Sequence, residues 1–252
     1  MISLPQEITL QFDQEDIFYR QVFPSAQMKD RNRPDNFFLE RAILAPHYSS
    51  VNMANEEFPN NLPGSILDLH SVDSAIETGE FEAIELTTEF LASLNPASLP
   101  LHLKLKIGAP VMLIRNLYPS EGSCNCTRGI IKDIRPNFTK LKIVGGSFDG
   151  NVHAIPRIAL KSNPGEEQWI IRRKKFPLRL YFSMAINNSQ AQTLKIVGID
   201  LRLPPFKNGQ LYVVLSRTTD VNRLSILWDK NNTGRKVKNV VYPEVLLEPV
   251  GL

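Results

Sequence analysis

Apolar positions recur at helical offsets at Ile17, Phe18, Val22 and Phe23, which predicts a short helix followed by a polar connector over Met28 to Asn36. Arg41-Ala-Ile-Leu-Ala45 is a short apolar run that stops at Pro46, as a buried strand does. Ser49 and Ser50 then suit the start of a helix carrying Val51, Ala54 and Phe58. Residues 59–100 read as an acidic surface excursion with a short helix from Thr88 to Leu94, broken at Asn95-Pro96. The period then changes. Leu101, Leu103, Leu105 and Ile107 alternate with His102, Lys104 and Lys106, the mark of a half-buried strand. Val111 to Ile114, Ile130 to Ile134, Leu141 to Val144 and Val152 to Leu160 follow as further strands, with turns at Gly145-Gly146 and Asp149-Gly150-Asn151. Five short strands at this spacing predict a small barrel. Beyond it an α/β rhythm returns: a strand at 196–201, a helix beginning in Gly209 to Ser216, and a strand at 224–228. The expected class is α/β, with the strands at 41–45, 196–201 and 224–228 in one sheet and a barrel inserted between them.

Charge sharpens this division. Residues 1–100 hold 5 Lys+Arg against 16 Asp+Glu, whereas residues 101–252 hold 24 against 10. A basic part of that size suits a polyanion such as nucleic acid or nucleotide; it equally suits a solvated face that meets the acidic part of the same chain. At 42% hydrophobic and 22% charged residues, whole-chain disorder is excluded. No apolar run approaches the roughly 18 residues that cross a bilayer, so no membrane association is expected. Two cysteines in 252 residues suit a reducing, intracellular compartment.

Several chemistries are missing. There is no GxxxxGK(S/T) phosphate loop and no apolar strand ending in Asp-Glu to hold Mg²⁺. The histidines at 47, 70, 102 and 153 look scattered and lack a hydrolase setting. Cys124 and Cys126 form a C-x-C pair with no further ligands nearby in sequence, so no metal site is expected. Two stretches do stand out: Met184 to Leu194 and Gly209 to Thr219. In each, polar residues lead out of an apolar strand toward a helix, and in an α/β sheet such segments reach the crevice where ligands bind. A plain turn and helix cap is the other reading of the same residues.

The blocks Glu40 to Pro46, Thr88 to Leu91, Leu94 to Pro96, Leu105 to Leu117, Cys124-Asn125 with Thr127-Arg128, Phe176-Pro177, Ile186 to Leu194 and Gly209 to Arg217 resemble, in order, the C-terminal half of the Pif (petite integration frequency) helicases. The Helitron-associated branch is the most similar. These are superfamily-one, 5′-to-3′ DNA helicases. The resemblance implies a RecA-like second motor domain interrupted by a small SH3-like β-barrel insert. In these terms residues 1–100 are the first part of the motor domain, 101–175 the barrel, and 176–252 the second part. It also implies ATP and Mg²⁺ as cofactors held mainly by residues outside this chain, single-stranded DNA and a first RecA-like motor domain as partners, and a nuclear location with the mitochondrion as the alternative.

Carried over by residue, Arg217 resembles the arginine finger that neutralises charge on a transferred γ-phosphoryl. Gln210 and Gln190 would join it at the nucleotide. Ser189 and Gln192 resemble residues linking the ATP cleft to the DNA track, where His47 would also lie. Lys104, Lys106, Arg172, Arg173, Lys174 and Lys175 are candidate contacts to a DNA backbone, or alternatively a charged strand edge. The chain departs from the family where Asn188 replaces Lys, Ala191 replaces Gly, Cys126 replaces Gly, and His47-Tyr48 replace Thr-Asn. Those changes imply weakened coupling to DNA. With no phosphate loop, this chain alone is expected to be inactive as an ATPase, and a non-catalytic single-stranded DNA-binding remnant is the alternative function.

Overall fold

The structure is a computed structural model that describes residues 1–76, 101–161, 170–190, 192–229 and 236–241. The strands, in chain order, are β1 (Ile2–Ser3), β2 (Thr9–Leu10), β3 (Arg41–Ala45), β4 (Leu67–His70), β5 (Val72–Ile76), β6 (His102–Leu105), β7 (Pro110–Leu113), β8 (Arg128–Ile134) and β9 (Phe138–Ile143). They continue with β10 (Val152–Pro156), β11 (Ile158–Lys161), β12 (Ile170–Lys175), β13 (Leu178–Leu180), β14 (Ser183–Ala185), β15 (Ile196–Leu201), β16 (Leu224–Trp228) and β17 (Lys236–Val237). The helices are α1 (Glu15–Val22), α2 (Ser25–Lys29), α3 (Tyr48–Glu57) and α4 (Gln210–Leu215).

Contacts divide the chain into two compact units, one made of 1–55 and 182–252 and the other of 56–181. The second unit therefore takes in more chain than the 101–175 expected from the strand pattern. The helix expected at Thr88 to Leu94, with two of the blocks quoted above, lies outside the described residues, as do Ala191 and most of 230–252.

The first unit is built on a five-stranded sheet of order β14-β3-β15-β16-β2, in which every pairing is parallel. The strands at 41–45, 196–201 and 224–228 do share this one sheet, with Gly198 opposite Ile43 and Ser225. Parallel strands are covered on both faces, so they read as continuous apolar runs. Ala42 to Ala45, Val197 to Leu201 and Ile226 to Trp228 are all buried. Helix α1 closes against β15 and β16 through Phe18 and Val22, both fully buried, whereas Ile17 is exposed. The helical offsets were right, but the buried face is one residue further round than Ile17 suggested.

Gly198 is what lets α1 approach so closely. A Cβ there would stand 2.7 Å from Val22 and 2.8 Å from Phe18. Phe23, Phe37, Phe38 and Phe182 form an aromatic cluster beside this core, with three edge-to-face pairs at 4.9–5.8 Å and a tilted Phe23–Phe38 pair at 6.2 Å. Edge strand β14 is finished by a side chain. The buried Asn55 amide of α3 donates to the Ser183 carbonyl at 2.8 Å and accepts from the Ser183 N–H at 2.9 Å, standing in for a missing strand.

The second unit is antiparallel among its described residues. Strands β10-β9-β8-β7-β13 form one five-stranded sheet, β11-β12-β5 a three-stranded sheet, and β4-β6 a pair. The alternation read in the sequence holds over His102 to Leu105, where Leu103 and Leu105 are buried while His102 and Lys104 are exposed, but it fails beyond the strand's end, where Lys106 is buried and Ile107 exposed. Gly145 and Gly146 both adopt positive φ (86° and 73°), which fits a turn that a side chain would strain.

Candidate functional site

Parallel strands deliver their following loops to one edge of the sheet, and here three loops meet. His47 follows β3, residues 186–190 follow β14 as a short 3-10 turn, and residues 202–209 follow β15. A pocket of about 470 Å³ lies at this edge, lined by Asn187, Gln190, Phe206, Lys207 and Asn208. His47 supports its wall: the ring lies 4.7 Å from the Phe206 ring, and Nε2 is 3.0 Å from the Pro204 carbonyl. Gln210 supports it from beneath. Its side chain is buried, and its carbonyl oxygen accepts from the N–H groups of Phe206 and Lys207 at 3.0 and 3.1 Å. Gly209 makes the preceding turn at φ 73°. Thus Gln190 lines the pocket directly, whereas Gln210 and His47 shape the loop opposite. Phe206, Lys207 and Asn208 were not anticipated; the Lys-Asn-Gly run before α4 was the available turn signal.

Arg217 lies just past α4, partly buried. Every nitrogen of its guanidinium is occupied. Nε donates to the Val213 carbonyl at 2.8 Å, Nη1 to the carbonyls of Ser189 (3.0 Å) and Gln192 (3.3 Å), and Nη2 to Ser216 Oγ at 2.9 Å. Arg217 therefore ties α4 to the 189–192 segment. That segment is also self-bonded. Ser189 is fully buried with its hydroxyl donating to the Ile186 carbonyl at 2.6 Å, and Gln192 Nε2 donates to the Asn188 carbonyl at 2.9 Å. In this conformation neither side chain is turned outward to a ligand.

The cations of the second unit divide by strand geometry. Lys104 is exposed on β6, but the strand ends at Leu105. Lys106 is buried and donates to the Leu62 carbonyl at 2.7 Å, so the two lysines do not share a solvent face. Strand β12 alternates in the same way, with Arg172 and Lys174 exposed and Arg173 and Lys175 buried. It is also the central strand of its sheet, paired on both sides, and not an edge. The four-cation run thus offers two cations to solvent, not four. Period-2 alternation carried this signal in the sequence, but a run of like charges concealed it.

Two further groupings were missed. Asp200 is 2% exposed and paired to Arg202 by two contacts, Nε to Oδ1 at 3.0 Å and Nη2 to Oδ2 at 2.6 Å. Arg202 Nη1 also donates to Glu15 at 2.6 Å, and the Tyr19 hydroxyl donates to the same Glu15 oxygen at 2.6 Å. Burial alone would lower the basicity of Arg202, but its bonds and charge pairing with Asp200 override this and hold it above its ordinary value. Burial, and then the hydrogen bond to Glu15, push the Tyr19 phenol well up. This network fastens α1 to the end of β15. The second grouping corrects the view that the histidines are scattered: His70 and His102 face each other with ring centroids 4.5 Å apart. Cys124 and Cys126 are free thiols that belong to no larger cluster of metal-ligating side chains among the described residues.

The residues lining the pocket are amides, a lysine and a phenylalanine, with no carboxylate. They do not fit a Mg²⁺ ion, which needs hard anionic oxygens.

A family model described as the 2B domain of DNA helicase Pif1 matches residues 89–134, inside the stretch of the second unit. The ATP-dependent DNA helicase PIF1 of Rattus norvegicus is 32% identical over 198 residues, covering 73% of this chain and 27% of that protein. PIF1 of Homo sapiens is 32% identical over 189 residues, covering 73% and 26%. Among solved structures, the Pif1 helicase of Candida albicans aligns with a TM-score of 0.58 at 24% identity, over 92% of this chain and 56% of that one. A Bacteroides Pif1 bound to ssDNA aligns with a TM-score of 0.59 at 20% identity, over 97% and 53%. These likenesses mark the fold as RecA-like α/β. The chain spans about a quarter of the length of the curated relatives it matches.

Proposed function

We propose that this chain, which is a relative of the Pif1-type DNA helicases, acts as the second RecA-like half of an ATP-dependent DNA motor, with an SH3-like barrel inserted in it. The observation that carries this reading is the all-parallel sheet of the first unit. Strands from before and after residues 56–181 pair in one register and bring His47, the 186–190 turn and the 202–209 loop to one edge. The sequence holds no phosphate loop, so a first RecA-like half must grip the ATP phosphates and any Mg²⁺. Gln190 would meet the nucleotide from this half.

Arg217 gives the reading its mechanism. A planar guanidinium that reaches the γ-phosphoryl neutralises charge developing on its oxygens. To do so here, Arg217 must exchange the carbonyls of Ser189 and Gln192 for phosphate oxygens. That exchange unties the 189–192 segment from α4. ATP binding and the conformation of a DNA-facing loop are then linked through one side chain. DNA would meet His47 on the first unit and, separately, the exposed cations Lys104, Arg172 and Lys174 on the second, in each case through backbone contacts indifferent to sequence.

The test is ATP hydrolysis with single-stranded DNA by this chain joined to the first RecA-like half of a Pif1-type relative. Arg217→Ala should lower kcat by about 10³-fold or more. An unchanged kcat would remove Arg217 from the reaction. A second reading, a single-stranded DNA-binding protein without hydrolysis, is favoured by the exposed cations and the lack of a phosphate loop. It expects salt-sensitive DNA binding together with no turnover even in the joined form.

A further inference from the structure

Asp68 and His70 lie two residues apart on β4, so they project from the same face. His102 opens β6 and stands directly opposite His70 in the antiparallel register, with Lys104 opposite Asp68. All three side chains, Asp68, His70 and His102, are exposed, and one ligand atom of each lies within 4.8 Å of the others. His102 Nδ1 is 3.2 Å from both oxygens of the Asp68 carboxylate. From this geometry we infer a divalent-metal site of zinc type, with two imidazole nitrogens, one carboxylate oxygen and a fourth position left to water.

The distances support that donor set. Zinc binds nitrogen and carboxylate oxygen at about 2.0–2.2 Å in a tetrahedron, whose edge is then about 3.3–3.5 Å. The His102–Asp68 separation of 3.2 Å already matches that edge. The widest gap, at most 4.8 Å, must close by little more than about 1 Å, which exposed side chains achieve by small rotamer adjustments. A simple His–Asp ion pair would need one histidine only; the cross-strand second histidine supplies the third ligand.

The backbone beneath is held in place. Arg157 donates to the His70 carbonyl at 2.6 Å, and Ser71 donates to the Leu101 carbonyl through both its N–H (3.1 Å) and its hydroxyl (2.9 Å). Two-stranded sheets are marginal on their own, and β4-β6 is one. A metal bridging β4 to β6 would clip together the ends of the segment between residues 70 and 102 and so stabilise the pairing. This site does not rest on the nucleotide and DNA reading above, although Lys104, a cation of that reading, stands opposite Asp68 on the same strand pair.

The experiment is a titration of metal-stripped full chain with Zn²⁺ by calorimetry, in a Cys124→Ser/Cys126→Ser background that removes the competing thiols. The same chain is titrated with Co²⁺ and followed by visible absorption. One zinc per chain is expected, with a rise in Tm and the absorption of four-coordinate cobalt. His70→Ala and His102→Ala should each weaken binding by roughly tenfold or more and abolish the Tm rise. Circular dichroism and the metal-free Tm of each variant confirm that it is folded. The inference is overturned if no saturable binding occurs, or if either histidine variant binds zinc as the parent does.

Discussion

Arg217 decides more than any other residue, because its donors are already committed to the chain itself. It makes four bonds, one to Val213 of α4, one to its neighbour Ser216 and two to Ser189 and Gln192. Truncation should therefore loosen that segment even without nucleotide, seen as faster amide exchange at Gln192. Arg202 is committed in a different way. It neutralises Asp200, which is almost fully buried. Arg202→Ala leaves that carboxylate uncompensated and should cost about 3–5 kcal/mol in denaturant unfolding. Tyr19, beside them, is neutral in the folded chain and its phenol is raised by burial. The unfolded chain loses that proton near pH 10. Its contribution is thus full below about pH 10 and falls as pH rises beyond it. Tyr19→Phe should flatten the stability profile above pH 10, although Tyr181, also raised by burial, retains part of the slope. None of this network could be read from the sequence. Glu15, Tyr19, Asp200 and Arg202 are ordinary surface types until α1 and β15 are brought together.

At the scale of elements, the closest join is α1 on β15 at Gly198. A methyl group there meets Val22 and Phe18 at under 3 Å. Gly198→Ala should destabilise by roughly 1–3 kcal/mol, and Val22→Ala in the same chain should recover part of the loss. The Asn55 clamp on β14 is the second join. Asn55→Ala strands a buried N–H and a buried carbonyl of Ser183, and should cost about 1–3 kcal/mol. Strands β3, β15 and β16 were legible because buried parallel strands are apolar throughout. Strands β6 and β9 were legible because half-buried strands alternate, and β8 through its apolar pair Ile130-Ile131, both buried. Strand β14 was harder to see, since three residues and a polar 3-10 turn carry no period. The same turn stands where the run of polar residues after an apolar strand suggested an exit toward a helix, and it fits the plain-turn reading of those residues. Cys126 shows the resemblance and the backbone agreeing. It sits at φ 68°, the lone non-glycine at positive φ among the described residues, at the position where glycine was expected.

For the whole molecule, the acidic-to-basic shift along the sequence proved a coarser guide than strand register. It pointed to a polyanion partner, but Lys106, Arg173 and Lys175 are buried and only part of the basic excess faces solvent. The division falls at residues 55 and 182, not at 100 and 175, because β4 pairs with β6 and β5 with β12 inside the inserted unit, a long-range register that local pattern does not encode. The pocket at the sheet edge follows from topology together with three loops, and only two of its five lining residues, Asn187 and Gln190, lay within stretches singled out from the sequence. The central claim is that this chain supplies one side of a shared ATP site. The most direct measurement is steady-state ATP hydrolysis on single-stranded DNA by the purified 252-residue chain, alone and after joining to a first RecA-like half. No turnover alone and DNA-dependent turnover once joined is the predicted result; turnover by the isolated chain that disappears with Arg217→Ala would contradict it.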